Sequence, residues 1–102
     1  HDNNTTLGWW RAIPKKERDA VRAYLGTSGR EPSWALIRLA MASVADLCVF
    51  PLQDVLALPA TGRMNTPGHA TGNWGWRFAP GTLTTELQQR LADMSRTYGR
   101  NA

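Results

Sequence analysis

Residues 34–56 read WALIRLAMASVADLCVFPLQDVL, and the fold turns on how this stretch divides. Its first half is apolar around most of a helical wheel. Trp34, Ile37, Arg38 and Met41 share one face, and Leu36, Leu39 and Ala40 cover much of the rest. A helix apolar on most sides is expected to be buried on most sides. Ser33 stands before it as the N-cap. The second half carries LCVF, residues 47–50, a short apolar run without alternation, closed by Pro51. Such a run suits a parallel strand covered on both faces. Polar residues follow at once, placing Gln53 and Asp54 at that strand's C-terminal end.

Outward from this stretch, residues 1–13 show no period and read as a loop. Pro14 fits a first helical position, and KKERDAVRAYL continues as an amphipathic helix with Val21, Tyr24 and Leu25 inward. Gly26 ends it with a left-handed cap. Residues 59–82 form a long loop rich in Gly, Pro, Asn and Thr, a length more often functional than idle. A last helix starts at Thr84 or Thr85, carries Leu87, Leu91, Met94 and Tyr98 on one stripe, and ends at Gly99. One strand is visible and another is implied just before His1. A single strand makes no sheet, so the expected class is α/β, as part of a larger parallel structure. In parallel barrels the chemistry sits at the C-terminal ends of strands, where His1–Asp2 and Gln53–Asp54 would both lie.

With 102 residues, 42% hydrophobic and 20% charged, the composition is that of a globular segment. The net charge is +4, clustered at Lys15, Lys16, Arg18 and Arg22 and again at Arg90, Arg96 and Arg100. Clustered cations reward phosphate binding, but Glu17, Asp19, Glu86 and Asp93 interrupt these runs, which favours solvated helix faces over nucleic acid. Cys48 has no disulfide partner within the chain and no ligand set for a metal, so it reads as a buried, inert thiol. No stretch reaches the roughly 20 apolar residues of a membrane span.

The chemistry gathers in two places. The chain starts HDNNTTLGWW, and residues 62–78, GRMNTPGHATGNWGWRF, hold Asn65, Asn73, Thr66 and Thr71 beside Trp74 and Trp76. A carboxylate, neutral amides and indole faces suit a sugar: hydroxyls take directional hydrogen bonds, and the C–H face of a pyranose packs on aromatic rings. Neither standard phosphate-loop pattern is present. Each residue also has a purely structural reading. Trp34 is core, Trp76 is a loop anchor, and His69 faces solvent. Trp9, Trp10 and Trp74 stand equally for core and for sugar platform.

HDNNTTLGWW, WALIRLAMASVADLCVFPLQDVL and RMNTPGHATGNWGWRF, in this order, resemble the C-terminal end of the amylomaltases, the 4-α-glucanotransferases or disproportionating enzymes of the α-amylase clan. The resemblance extends through LTTELQQRLADMSRTYGR. It departs at Asn4, where the family more often has Asp, and at His69, where Thr or Arg is usual. It implies that residues 1–102 are one segment of a (β/α)8 TIM barrel, incomplete here, from the end of the seventh strand to the last helix. The implied activity is a retaining transfer of α-1,4-glucan segments between maltooligosaccharides. A nucleophile and an acid/base about 5–5.5 Å apart carry that chemistry, and both lie upstream of His1. Carried over by motif, Asp2 is the catalytic carboxylate that stabilises the transition state. His1 and Asn65 contact substrate, and Pro67 shapes that wall. The resemblance further implies no metal or other cofactor, a cytoplasmic enzyme, and the rest of the barrel as partner. Two other readings remain: a stand-alone α-glucan-binding module, and a small basic nucleic-acid binder, which steep salt dependence would reveal.

Overall fold

The computed structural model describes residues 1–101; Ala102, the last residue of the expected segment, lies outside them. The described elements are α1 (Thr6–Ala12), α2 (Lys15–Leu25), α3 (Pro32–Met41), α4 (Leu52–Val55), a 3₁₀ turn (Ala60–Gly62) and α5 (Thr85–Thr97). All are helical, so the expected α/β class is not realised within the described residues.

α1 stands where a loop was expected. Thr5 caps it, its hydroxyl accepting from the Gly8 N–H at 3.1 Å. The carboxylate of Asp54 adds a second anchor, accepting from the Thr6 N–H at 2.8 Å and from the Thr6 hydroxyl at 2.7 Å. A free helix N-terminus leaves four N–H groups without partners. Here a residue 48 positions away supplies one of the missing acceptors, which no local pattern reveals. Trp10 is buried in the last turn of α1, with the Arg22 guanidinium 5.2 Å from its ring centre. Gly29 packs against the same ring: a Cβ there would lie 2.8 Å from the indole. Trp10 is therefore core, not sugar platform.

α2 ends at Gly26 in the left-handed conformation, φ 67°, as expected, but Pro14 is its N-cap and not its first helical residue. Its inward face is thin. Val21 and Leu25 are half-buried, and Tyr24, expected inward, is 78% exposed.

α3 begins two residues early, with Glu31 as its N-cap and Pro32 at its first position. Ser33 lies inside the first turn rather than capping it, and its buried hydroxyl has no hydrogen-bond partner among the described residues. Trp34, Ile37 and Met41 form the core with Val55, packed round by Cys48, Phe50, Leu52, Leu87, Leu91, Met94 and Tyr98. The α5 stripe thus lands as its spacing predicted, and Thr84 caps that helix by accepting from the Leu87 N–H. α3 itself is buried along one side only. Arg38 and Leu39 are exposed, Arg38 donating from Nε to the Tyr98 hydroxyl at 2.7 Å.

Residues 47–50, expected as a strand covered on both faces, form no strand among the described residues. Leu47 and Val49 are about four-fifths exposed, while Cys48 and Phe50 are half-buried against the core. The alternation has the period of a strand, but a strand exists only through hydrogen bonds to a neighbour, and the described residues supply none. The same missing cover leaves Cys48 half-buried instead of buried.

The accessible surface is 7103 Å², against about 5,700 Å² for a compact monomer of this mass. The radius of gyration is 14.7 Å, against about 13 Å.

Candidate active site

The loop after the 3₁₀ turn is built around its own polar side chains. Asn73 accepts from the Thr66 N–H at 2.8 Å and donates to the His69 carbonyl at 2.8 Å. The Trp74 N–H donates to the Met64 carbonyl at 2.7 Å, closing the loop. Trp74 does this at φ 61°, a conformation that strains a bulky residue by about 1–3 kcal/mol and persists only where surroundings over-determine it. The result is that its indole lies against the His1 ring, centroids 4.7 Å apart.

Three of the four residues expected at the site meet here. The Asn65 side-chain amide donates to Asp2 Oδ1 at 2.6 Å across 63 residues of sequence. His1 Nε2 lies 3.1 Å from the same oxygen. The Asp2 side chain remains 57% exposed, and Oδ2 has no protein partner among the described residues. One carboxylate oxygen is thus fixed and the other is presented outward. Pro67 is exposed between Thr66 and Gly68, where φ of 85° makes the turn, and no hydrogen bond ties it to Asp2 or His1. It shapes the loop and does not join the cluster.

Arg63 escaped the sequence reading; Asp54 was expected at a strand end, and the structure instead sets it on the N-terminus of α1. Arg63 Nε donates to the Asn65 carbonyl at 2.8 Å, and its Nη2 donates to the Asp2 carbonyl. Asp54 holds α1 as described, tying the 52–55 turn to the 1–6 segment. A concavity of about 490 Å³ opens beside the cluster, bounded by His1, Phe50, Asp54 and Arg63 among others. The ends of the 47–50 run and of the 1–6 segment therefore face one space. A larger cavity, about 700 Å³, lies elsewhere, between the 27–31 connector, α3 and α5, and borders none of the expected site residues.

Four of the other cations pair with carboxylates on or beside helices. Lys15 and Arg22 share Asp19, Arg96 pairs with Asp93, and Arg90 pairs with Glu31. No described helix is long and apolar enough to cross a membrane, and no group of three or more His, Cys, Asp or Glu able to hold a metal occurs among the described residues.

Comparison with known proteins converges on one family. The family model described as 4-alpha-glucanotransferase matches residues 1–84. The 4-alpha-glucanotransferase of Synechocystis is 48% identical over 101 residues, covering 98% of this chain and 20% of its own length. That of Thermus thermophilus is 48% identical, covering 93% of this chain and 20% of its own. The chloroplastic/amyloplastic enzyme of Arabidopsis thaliana is 39% identical over 98% of this chain and 18% of its own. A solved amylomaltase of Streptococcus agalactiae in complex with acarbose superposes with a TM-score of 0.93 at 29% identity, over 100% of this chain and 21% of that one. The chain spans about a fifth of the length of these relatives. Motifs, fold and relatives agree that this chain belongs to the 4-alpha-glucanotransferase family.

Proposed function

We propose that residues 1–102 are the closing part of the (β/α)8 barrel of a cytoplasmic 4-α-glucanotransferase, with 47–50 as its last strand. In this reading the segment supplies the carboxylate that stabilises the transition state, and the rest of the barrel supplies the nucleophile and the acid/base. The observation that carries it is the Asp2–Asn65 hydrogen bond, which joins two expected site residues at an exposed mouth beside His1 and Trp74.

The chemistry is a retaining double displacement. The nucleophile's carboxylate attacks the anomeric carbon of an α-1,4-glucan as the glycosidic C–O bond breaks. The leaving oxygen takes the acid's proton, and a glycosyl ester forms. The 4-hydroxyl of an acceptor maltooligosaccharide then attacks, returning its proton to the same residue and releasing the nucleophile. Asp2 acts in both halves. As the ring flattens toward the oxocarbenium ion, its hydroxyls become more acidic and their hydrogen bonds to Asp2 shorten. Asn65 fixes the carboxylate's orientation beforehand, and the indole of Trp74 offers an apolar face for the sugar.

The test is Asp2→Asn in the parent enzyme. Hydrogen bonds that tighten only in the transition state supply several kcal/mol, so kcat should fall at least about a hundredfold. Binding of maltooligosaccharides should change far less. Full turnover in this variant would remove Asp2 from the site and the reading with it.

A further inference from the structure

Two segments far apart in sequence must be held in register for Asp2 and Asn65 to work as a pair. Their side-chain hydrogen bond alone, at a half-exposed position, is a weak hinge. The other bonds of the 63–76 loop, Trp74 to Met64 and Thr66 to Asn73, stay within the loop and do not reach the 1–2 segment. Arg63 does. Its guanidinium donates through Nε to the Asn65 carbonyl and through Nη2 to the Asp2 carbonyl. One rigid planar group therefore bridges the two backbones that carry the site's carboxylate and amide.

We propose that Arg63 is the positioning residue of this site, setting the distance between the Asp2 carboxylate and the Asn65 amide without touching substrate. Guanidinium geometry is central to that role. Arg presents several N–H donors in a fixed plane, so binding one carbonyl fixes where the other must lie. A Lys ammonium is a single point on a flexible stem, able to satisfy one carbonyl while leaving the second segment free to drift. A drift of about 1 Å in a transition-state contact costs on the order of a hundredfold in rate. The effect belongs in kcat, because the contact that drifts is one that tightens in the transition state.

The inference rests on the proposed role of Asp2, and a double-variant test separates the two. Arg63→Lys in the parent enzyme should lower kcat by about 10- to 100-fold, with KM for maltotriose changed by less than about threefold and an unchanged melting midpoint. In an Asp2→Asn background the same substitution should lower kcat by less than about threefold, because the group it positions is already gone. Should Arg63→Lys melt below the assay temperature, Arg63→Gln, which also cannot span both carbonyls, is measured in its place. Wild-type turnover in Arg63→Lys, or an equal loss in both backgrounds, would overturn the positioning role while leaving Asp2 in place. Full turnover in Asp2→Asn alone would sink the parent reading instead.

Discussion

Asn65 and Asp2 meet at 2.6 Å with the amide donating, which assigns them unequal duties. Asp2 keeps one oxygen without a protein partner among the described residues, whereas Asn65 has one donor committed to Asp2; the proposed reading gives that free oxygen and the Asn65 carbonyl to sugar hydroxyls. In the proposed reading, removing Asn65 takes away a substrate contact together with the bond that orients Asp2. In the parent enzyme Asn65→Ala should raise KM for maltooligosaccharides several-fold, with a smaller fall in kcat. Steady-state kinetics on maltotriose would show it. Unchanged values of both would make the loop structural only.

Between elements, α3 and α5 are joined by aromatic and charged contacts as well as by apolar packing. Arg90 stacks over the Trp34 ring, 4.0 Å from its centre, and pairs with Glu31 at 2.6 Å. The hydrogen bond from Arg90, reinforced by its charge, holds the Glu31 carboxyl below its ordinary value of 4.5 although burial pushes the other way. A carboxyl more acidic in the folded state than in the unfolded one adds stability above pH 4.5 and loses it as pH falls through the lowered value. The pair is largely exposed and screened, so its contribution stays at or below about 1 kcal/mol. Melting midpoints measured from pH 6 to pH 3 should therefore decline slightly more steeply for the wild-type enzyme than for Glu31→Gln. Parallel curves would show that the pair adds nothing to the α3–α5 contact. At the far end of α3, Arg100 donates to the carbonyls of Met41, Ser43 and Ala45. Arg100 thus ties down the C-terminal end of the helix that carries the core.

As a whole molecule the chain exposes too much apolar surface to stand well alone. Val44, Leu47 and Val49 are each at least 78% exposed, and the backbone between them has no strand partner. Unpaired edges of this kind recruit other chains. Expressed by itself, residues 1–102 should associate or exchange the amides of 47–50 without protection. It should also release no glucose from maltotriose, because stabilising a transition state cannot replace the group that attacks. Hydrogen exchange and a glucose assay check both statements. Strong protection at 47–50 in a monomer would overturn the first, and measurable transfer the second.

What the sequence determined by itself was whatever rests on local spacing. The stripe of α5, the left-handed stop at Gly26, the buried Trp34 and the Thr84 cap all follow from side chains within a few residues of one another. His1, Asp2 and Asn65 lie in short runs whose residue types suit sugar hydroxyls, and it was the resemblance to the amylomaltases that implied their roles. Only the tertiary structure decided the rest, because the deciding partner lies far along the chain. α1 needed Asp54 to complete its N-terminus. Trp74 became part of the site because its loop closes on Met64, and Arg63 because it reaches back to Asp2. The 47–50 run shows the converse. Its apolar pattern is strand-like in the sequence and in its alternating exposure, but a strand's hydrogen bonds belong to the pair, and the described residues hold no partner strand for it.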